Sequence, residues 1–189
     1  MTKYFMLTTS DSLPDVWVFR EGRAGKLSIR SMYARFACPS CGKIDEAKAL
    51  GDVGLPVDLA LSPRADVQFS LDGWLVLKNA VVTAWEAAGV KGVDVVAQNA
   101  HVSVVVPAFV GVDETQYEST EPCAVCGRPS ERYRIPPISS MELPTDRMVV
   151  FGPRVPSEGV LGVRHLFFLS EDARKLIRKS RGALFDWVV

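Results

Sequence analysis

Four cysteines fall in two short matching units, Cys38-Pro39-Ser40-Cys41-Gly42 and Cys123-Ala124-Val125-Cys126-Gly127. A Cys-x-x-Cys turn places two thiolates at a metal–sulfur bond length from a common centre, and a glycine after the second cysteine lets the backbone bend so that amides face sulfur. Two such turns make a complete tetrahedral set. A shell of four thiolates leaves no coordination position for water or substrate, so the expected occupant is one structural, catalytically inert zinc ion held by Cys38, Cys41, Cys123 and Cys126. Iron suits the same tetrahedron, and the sequence does not separate the two metals. The competing readings are unligated or oxidised thiols and a thioredoxin-like redox motif; a single CxxC at a helix start serves redox chemistry, so a second knuckle argues against it.

Other chemistry-bearing residues are sparse. The two histidines, His101 and His165, have no local nucleophile or acid partner, and no GxSxG, HExxH, P-loop or GxGxxG pattern occurs. Both histidines are read as structural and the chain as a non-enzyme. Basic residues flank the knuckles, Arg20, Arg23, Lys26, Arg30 and Arg35 before the first and Arg128, Arg132 and Arg134 after the second, interleaved with Tyr33, Phe36 and Tyr133. This is the composition of a nucleic-acid-binding zinc ribbon, and equally of a solvated charged surface. Between Val110 and Glu121 lies the opposite sign, Asp113, Glu114, Glu118 and Glu121 with no Lys or Arg. Asp113, Glu114 and Glu118 are candidate partner contacts, because an acidic loop complements a basic partner surface; a solvated loop is the alternative.

The whole chain sets the context for these sites. It has 189 residues, 48% of them hydrophobic, which excludes intrinsic disorder and suits one domain with room for an insertion. Lys+Arg 22 cancels Asp+Glu 22, so no net field draws in a polyanion or an anionic membrane. No apolar run is long enough for a membrane span, and the opening MTKYFMLTTSD lacks a signal peptide's apolar stretch. A cytoplasmic protein is expected, and in that compartment close cysteine pairs are more often metal ligands than disulfides.

The elements that must position the knuckles follow from local pattern. Strands are expected at Tyr4 to Leu7, Val16 to Phe19, Val57 to Leu61, Trp74 to Leu77, Val93 to Ala97, Val102 to Val106 and Met148 to Phe151, with a strand running through Met32 to Phe36 into the first knuckle. Asn79 is expected to cap a helix that ends at Gly89 and buries Val81, Ala84, Trp85 and Ala88. The segments 93–97 and 102–106 are β-branched and expected to be buried. Ile135 to Pro144 reads as an irregular connector. The tail reads as a strand Leu166 to Leu169, a cap at Ser170, a helix to about Arg181, a stop at Gly182 and a strand Leu184 to Val188, with Arg174, Lys175 and Arg178 on a solvated face. The sum is a single α+β domain over 1–189, a mixed β-sheet with few helices. It comprises a zinc-ribbon-like module from 28–45 with 118–135, an inserted β-rich subdomain at 46–117, and a C-terminal strand-helix-strand unit at 145–189.

The pair Cys38/Cys41/Gly42 and Cys123/Cys126/Gly127, separated by a long insertion in a chain of this size, resembles the bacterial double-CxxCG motif family. The tail, Leu166-Phe167-Phe168-Leu169-Ser170 with its helix and strand, is similar to endings in immunity proteins of that paralogous group. Such proteins protect a producer cell and its kin from polymorphic toxins, nuclease toxins exchanged through outer membranes among them. The resemblance implies inhibition by binding a cognate toxin, with zinc as scaffold, no catalysis and no small-molecule substrate. It carries over no toxin-contact residue. A nucleic-acid-binding zinc ribbon is the alternative function.

Overall fold

The computed structural model describes residues 3–9, 34–45, 48, 65–70, 74–113, 121–128, 138–156 and 163–187. The expected strands at 16–19 and 57–61 lie outside these residues, as do Glu114 and Glu118.

The architecture is mixed α+β, mostly sheet. Ten strands are described: β1 (Tyr4–Thr9), β2 (Val67–Phe69), β3 (Leu75–Lys78), β4 (Val93–Gln98), β5 (Val102–Phe109), β6 (Val150–Gly152), β7 (Arg154–Pro156), β8 (Val163–His165), β9 (Phe168–Ser170) and β10 (Ala183–Trp187). Two helices accompany them, α1 (Asn79–Ala87) and α2 (Glu171–Ile177). Eight strands form one sheet in the order β10-β1-β9-β6-β5-β3-β2, with β4 also on β5, while β7 and β8 pair separately. The pairing of β5 with β6 is parallel and its neighbours are antiparallel, so the sheet is mixed. β5 is the hub: Val105 stands opposite Leu75 on one side and Val95 on the other. Through it, the strands between the two knuckles share a sheet with the chain's first strand and its tail.

Alternation along the strands makes two cores. On one face Leu7, Leu75, Leu77, Val105, Val150, Phe167 and Leu169 meet Val81, Val82 and Trp85 of α1 and Ala173 and Ile177 of α2. On the other, Tyr4, Phe151 and Phe168 pack with Ile138 and Met141 of the connector, and the Tyr4 ring meets Phe151 edge-on at 5.1 Å. In the described part of the connector, Ile138–Ser140 forms a 3-10 turn.

Several expectations need correction. Lys78, extended at φ −62° and ψ 143°, takes the cap position of α1. Asn79 lies inside the helix because its side chain is committed elsewhere: Nδ2 donates to the Asn99 carbonyl at 2.9 Å, and Oδ1 accepts from the Ser103 hydroxyl at 2.8 Å. The buried face of α1 is Val81, Val82 and Trp85, whereas Ala84 is exposed and Ala88 half-buried. Only β5 of the two β-branched strands is buried. β4 carries Asp94 and an exposed Val95, and it pairs with β5 alone among the described strands. Ala34–Phe36 forms a 3-10 turn in place of a strand. The tail helix stops at Ile177, one turn short of Arg181, and the strand before it is Phe168–Ser170. Ser170 does cap it, accepting from the Ala173 amide at 3.4 Å. Arg174 is only partly solvated: its guanidinium lies 3.9 Å above the Phe5 ring.

Candidate metal centre

Each CxxCG unit closes on itself in the same way. The Gly42 amide donates to the Cys38 carbonyl and the Gly127 amide to the Cys123 carbonyl, both at 2.8 Å. The Cys38 amide reaches the Lys43 carbonyl at 2.9 Å, and the Cys123 amide the Arg128 carbonyl at 3.0 Å. This tight loop requires a left-handed residue at its corner, supplied by Gly42 at φ 71° and Gly127 at φ 69°. An antiparallel bridge between Ala37 and Ile44 fixes the base of the first knuckle.

The two knuckles face each other and bring all four sulfurs together. Cys38 Sγ is 3.9 Å from Cys123 Sγ, Cys41 Sγ is 3.6 Å from Cys126 Sγ, and every pair lies within 4.8 Å. A tetrahedron with Zn–S bonds of about 2.3 Å has sulfur–sulfur edges of about 3.8 Å, so both cross-knuckle separations match one ion in the middle. The cysteines are not joined as disulfides. Donor type, number and spacing therefore fit a four-coordinate thiolate metal site, with Cys38 buried and Cys41 exposed.

The local field favours thiolate on the second knuckle. Amides of Cys126 and Val125 aimed at Cys123 lower its thiol to about 6. The Arg128 amide, against the pull of burial, lowers Cys126 as well. Cys41 receives the Lys43 amide, but burial and the crowding thiols of Cys126, Cys38 and Cys123 outweigh it and hold the proton up to about 11. Four sulfurs this close cannot all ionise without a cation among them, which is the demand that a divalent metal meets.

Arg128 was legible only as part of a basic patch, yet its side chain links the two knuckles. Its guanidinium donates to the carbonyls of Ile44 and Lys43 on the opposite knuckle, the latter at 3.3 Å. The signal available in the sequence was position: a basic residue directly follows each CxxCG, Lys43 and Arg128. Beside the centre is an open hollow of about 520 Å³ bordered by Arg35, Phe36, Asp45, Lys48, Val125 and Arg128. Val125 at the knuckle tip is 62% exposed.

Asp113, His101 and His165 are not among the residues of this cluster or its hollow. Asp113 is exposed, and its amide donates to the Ser140 carbonyl at 2.9 Å. It borders a second open hollow with Glu142, Ser139 and Ser140. His165 is buried against Trp74 and Phe109, with ring centroids at 5.3 and 5.5 Å, while His101 sits exposed at the β4–β5 turn. Among the described residues no helix is long and apolar enough to cross a membrane. Compared with known protein families and with characterised proteins, the chain matches no family model and no curated sequence.

Proposed function

We propose that this chain is a non-catalytic binding protein, an immunity protein that captures and neutralises a cognate polymorphic toxin in the cytoplasm, with one zinc ion as scaffold. The observation that carries the scaffold part is the convergence of four cysteine sulfurs, two from each knuckle, into one shell. Such a shell spends every coordination position on protein thiolates, so its contribution is rigidity. In small modules a structural zinc contributes on the order of 10 to 16 kcal/mol of apparent binding free energy, enough to hold segments 85 residues apart. The toxin-binding part rests on the resemblance of the two CxxCG units and the tail to immunity proteins. A nuclease is the favoured toxin class because the acidic stretch from Asp113 complements a phosphate-binding surface.

The rival nucleic-acid reading draws on the basic residues around the knuckles. Of the described cations in that patch, Arg128 is engaged with main-chain carbonyls of the first knuckle. That weighs toward a protein partner. The test is co-expression with the toxin encoded beside this chain's gene: rescue of growth and co-purification of the two proteins are expected. Continued killing, with both proteins folded and present, overturns the proposal.

A further inference from the structure

Lys43 and Arg128 occupy equivalent positions about the metal centre. Each is the first residue past its CxxCG unit, and each offers its carbonyl to the leading cysteine's amide, at 2.9 and 3.0 Å. Their side chains extend the equivalence into a division of labour. Lys43 is 9% exposed, a buried cation beside the first knuckle. The Arg128 side chain leaves its own knuckle and donates from both terminal nitrogens to Ile44 and Lys43, the residues that carry the chain out of the other. It is thus bonded to one knuckle covalently and to the other through a fork, 84 and 85 residues away in sequence.

A divalent ion in four thiolates carries a formal charge of about −2, and a partly buried dianion needs compensating cations close by. Arg128 is well suited to this task, since a guanidinium stays charged and binds two acceptors in a fixed plane.

We infer that Arg128 is the positioning residue that turns two separate knuckles into one metal site, clamping the first knuckle by the Ile44 and Lys43 carbonyls while its charge offsets the tetrathiolate. The inference rests on the four-cysteine metal assignment and extends it to a residue that touches no metal. Loss of an outer-shell partner typically costs 10- to 100-fold in metal affinity. Arg128→Met removes clamp and charge; Arg128→Lys keeps the charge and loses the fork.

The experiment uses the full chain, purified with its metal, in competition with a chromophoric zinc chelator, alongside cobalt substitution to record the thiolate-to-cobalt charge-transfer band. Arg128→Met is expected to bind zinc at least 10-fold more weakly and to shift the cobalt band. Arg128→Lys should fall between it and the unaltered chain, and Arg35→Met, in the same hollow, should match the unaltered chain. Unchanged affinity and spectrum in Arg128→Met overturn the inference. If Arg128→Met does not fold, Arg128→Lys decides: intermediate affinity upholds the clamp, and full affinity overturns it. If the unaltered chain binds no zinc or cobalt, the metal assignment itself fails, a result distinct from failure of the clamp.

Discussion

Cys41 Sγ stands 3.6 Å from Cys126 Sγ across 85 residues of chain. The contact is made by two turns of identical form, each closed by its own glycine, and it lies at the exposed edge of the centre, with the buried Cys38 at the inner one. Strands β2 to β5, which lie between the knuckles in sequence, belong to the main sheet, so the four-cysteine cluster joins the two ends of a folded segment.

The knuckle glycines should be costly to replace for conformational reasons alone. A Cβ on Gly42 or Gly127 meets nothing within 4 Å, but both residues sit at positive φ. Gly127→Ala is expected to lose about 1 kcal/mol of stability. Gly152→Ala should be far worse, because its Cβ falls 1.6 Å from the Leu166 carbonyl oxygen, main chain that cannot step aside without opening the sheet. Urea denaturation of the two variants checks the order; equal losses would contradict it.

Asp66 predicts an acid-sensitive tie between β2 and the turn after α2. Burial opposes its ionisation, but the Lys78 ammonium at 2.7 Å and the Arg181 amide at 2.9 Å hold its carboxyl below the ordinary value of 3.8. With the native value depressed, the contribution is fully present above about 3.8 and is lost as pH falls through the lower native value, because the unfolded chain takes up its proton first. Asp66→Asn should therefore cost on the order of 1 kcal/mol at pH 7. The gap from the unaltered chain should close below pH 4, approximately. Denaturation curves for both proteins at pH 7 and pH 3 measure this, and a constant gap would rule out the carboxylate's charge as its source.

Neutralising Asp113, Glu114 and Glu118 together should slow association with a basic nuclease toxin and make the rate less salt-sensitive, with a smaller change in dissociation. Exposed charges act mainly on encounter. Stopped-flow or surface-binding kinetics at low and high salt provide the measurement. An unchanged rate in the triple Asn/Gln variant would place recognition on another surface.

The convergence of the four cysteines was suggested by sequence because a knuckle is a local object: its turn, its glycine and its two sulfurs occupy five consecutive residues. The Ser170 cap was readable for the same reason, since Ala173 is three residues away. Features that depend on distant chain were not. Asn79 looks like a cap until Asn99 and Ser103 claim its side chain. β4 has the composition of a buried strand but, among the described strands, pairs with β5 alone, which depends on how distant chain is arranged around it. Arg128 looks like one more surface cation until the first knuckle is placed opposite it. The mixed sheet was legible as a class, while its order was not, because β5 and β6 are parallel neighbours separated by 40 residues of chain from Phe109 to Val150.

X-ray absorption at the metal edge of the purified full chain, with metal content measured on the same sample, reports whether the four sulfurs share one ion. One zinc per chain is expected, surrounded by four sulfurs at about 2.3 Å, with no nitrogen or oxygen neighbour. A nitrogen or oxygen in the shell, or a folded, stable chain with no metal, would contradict it.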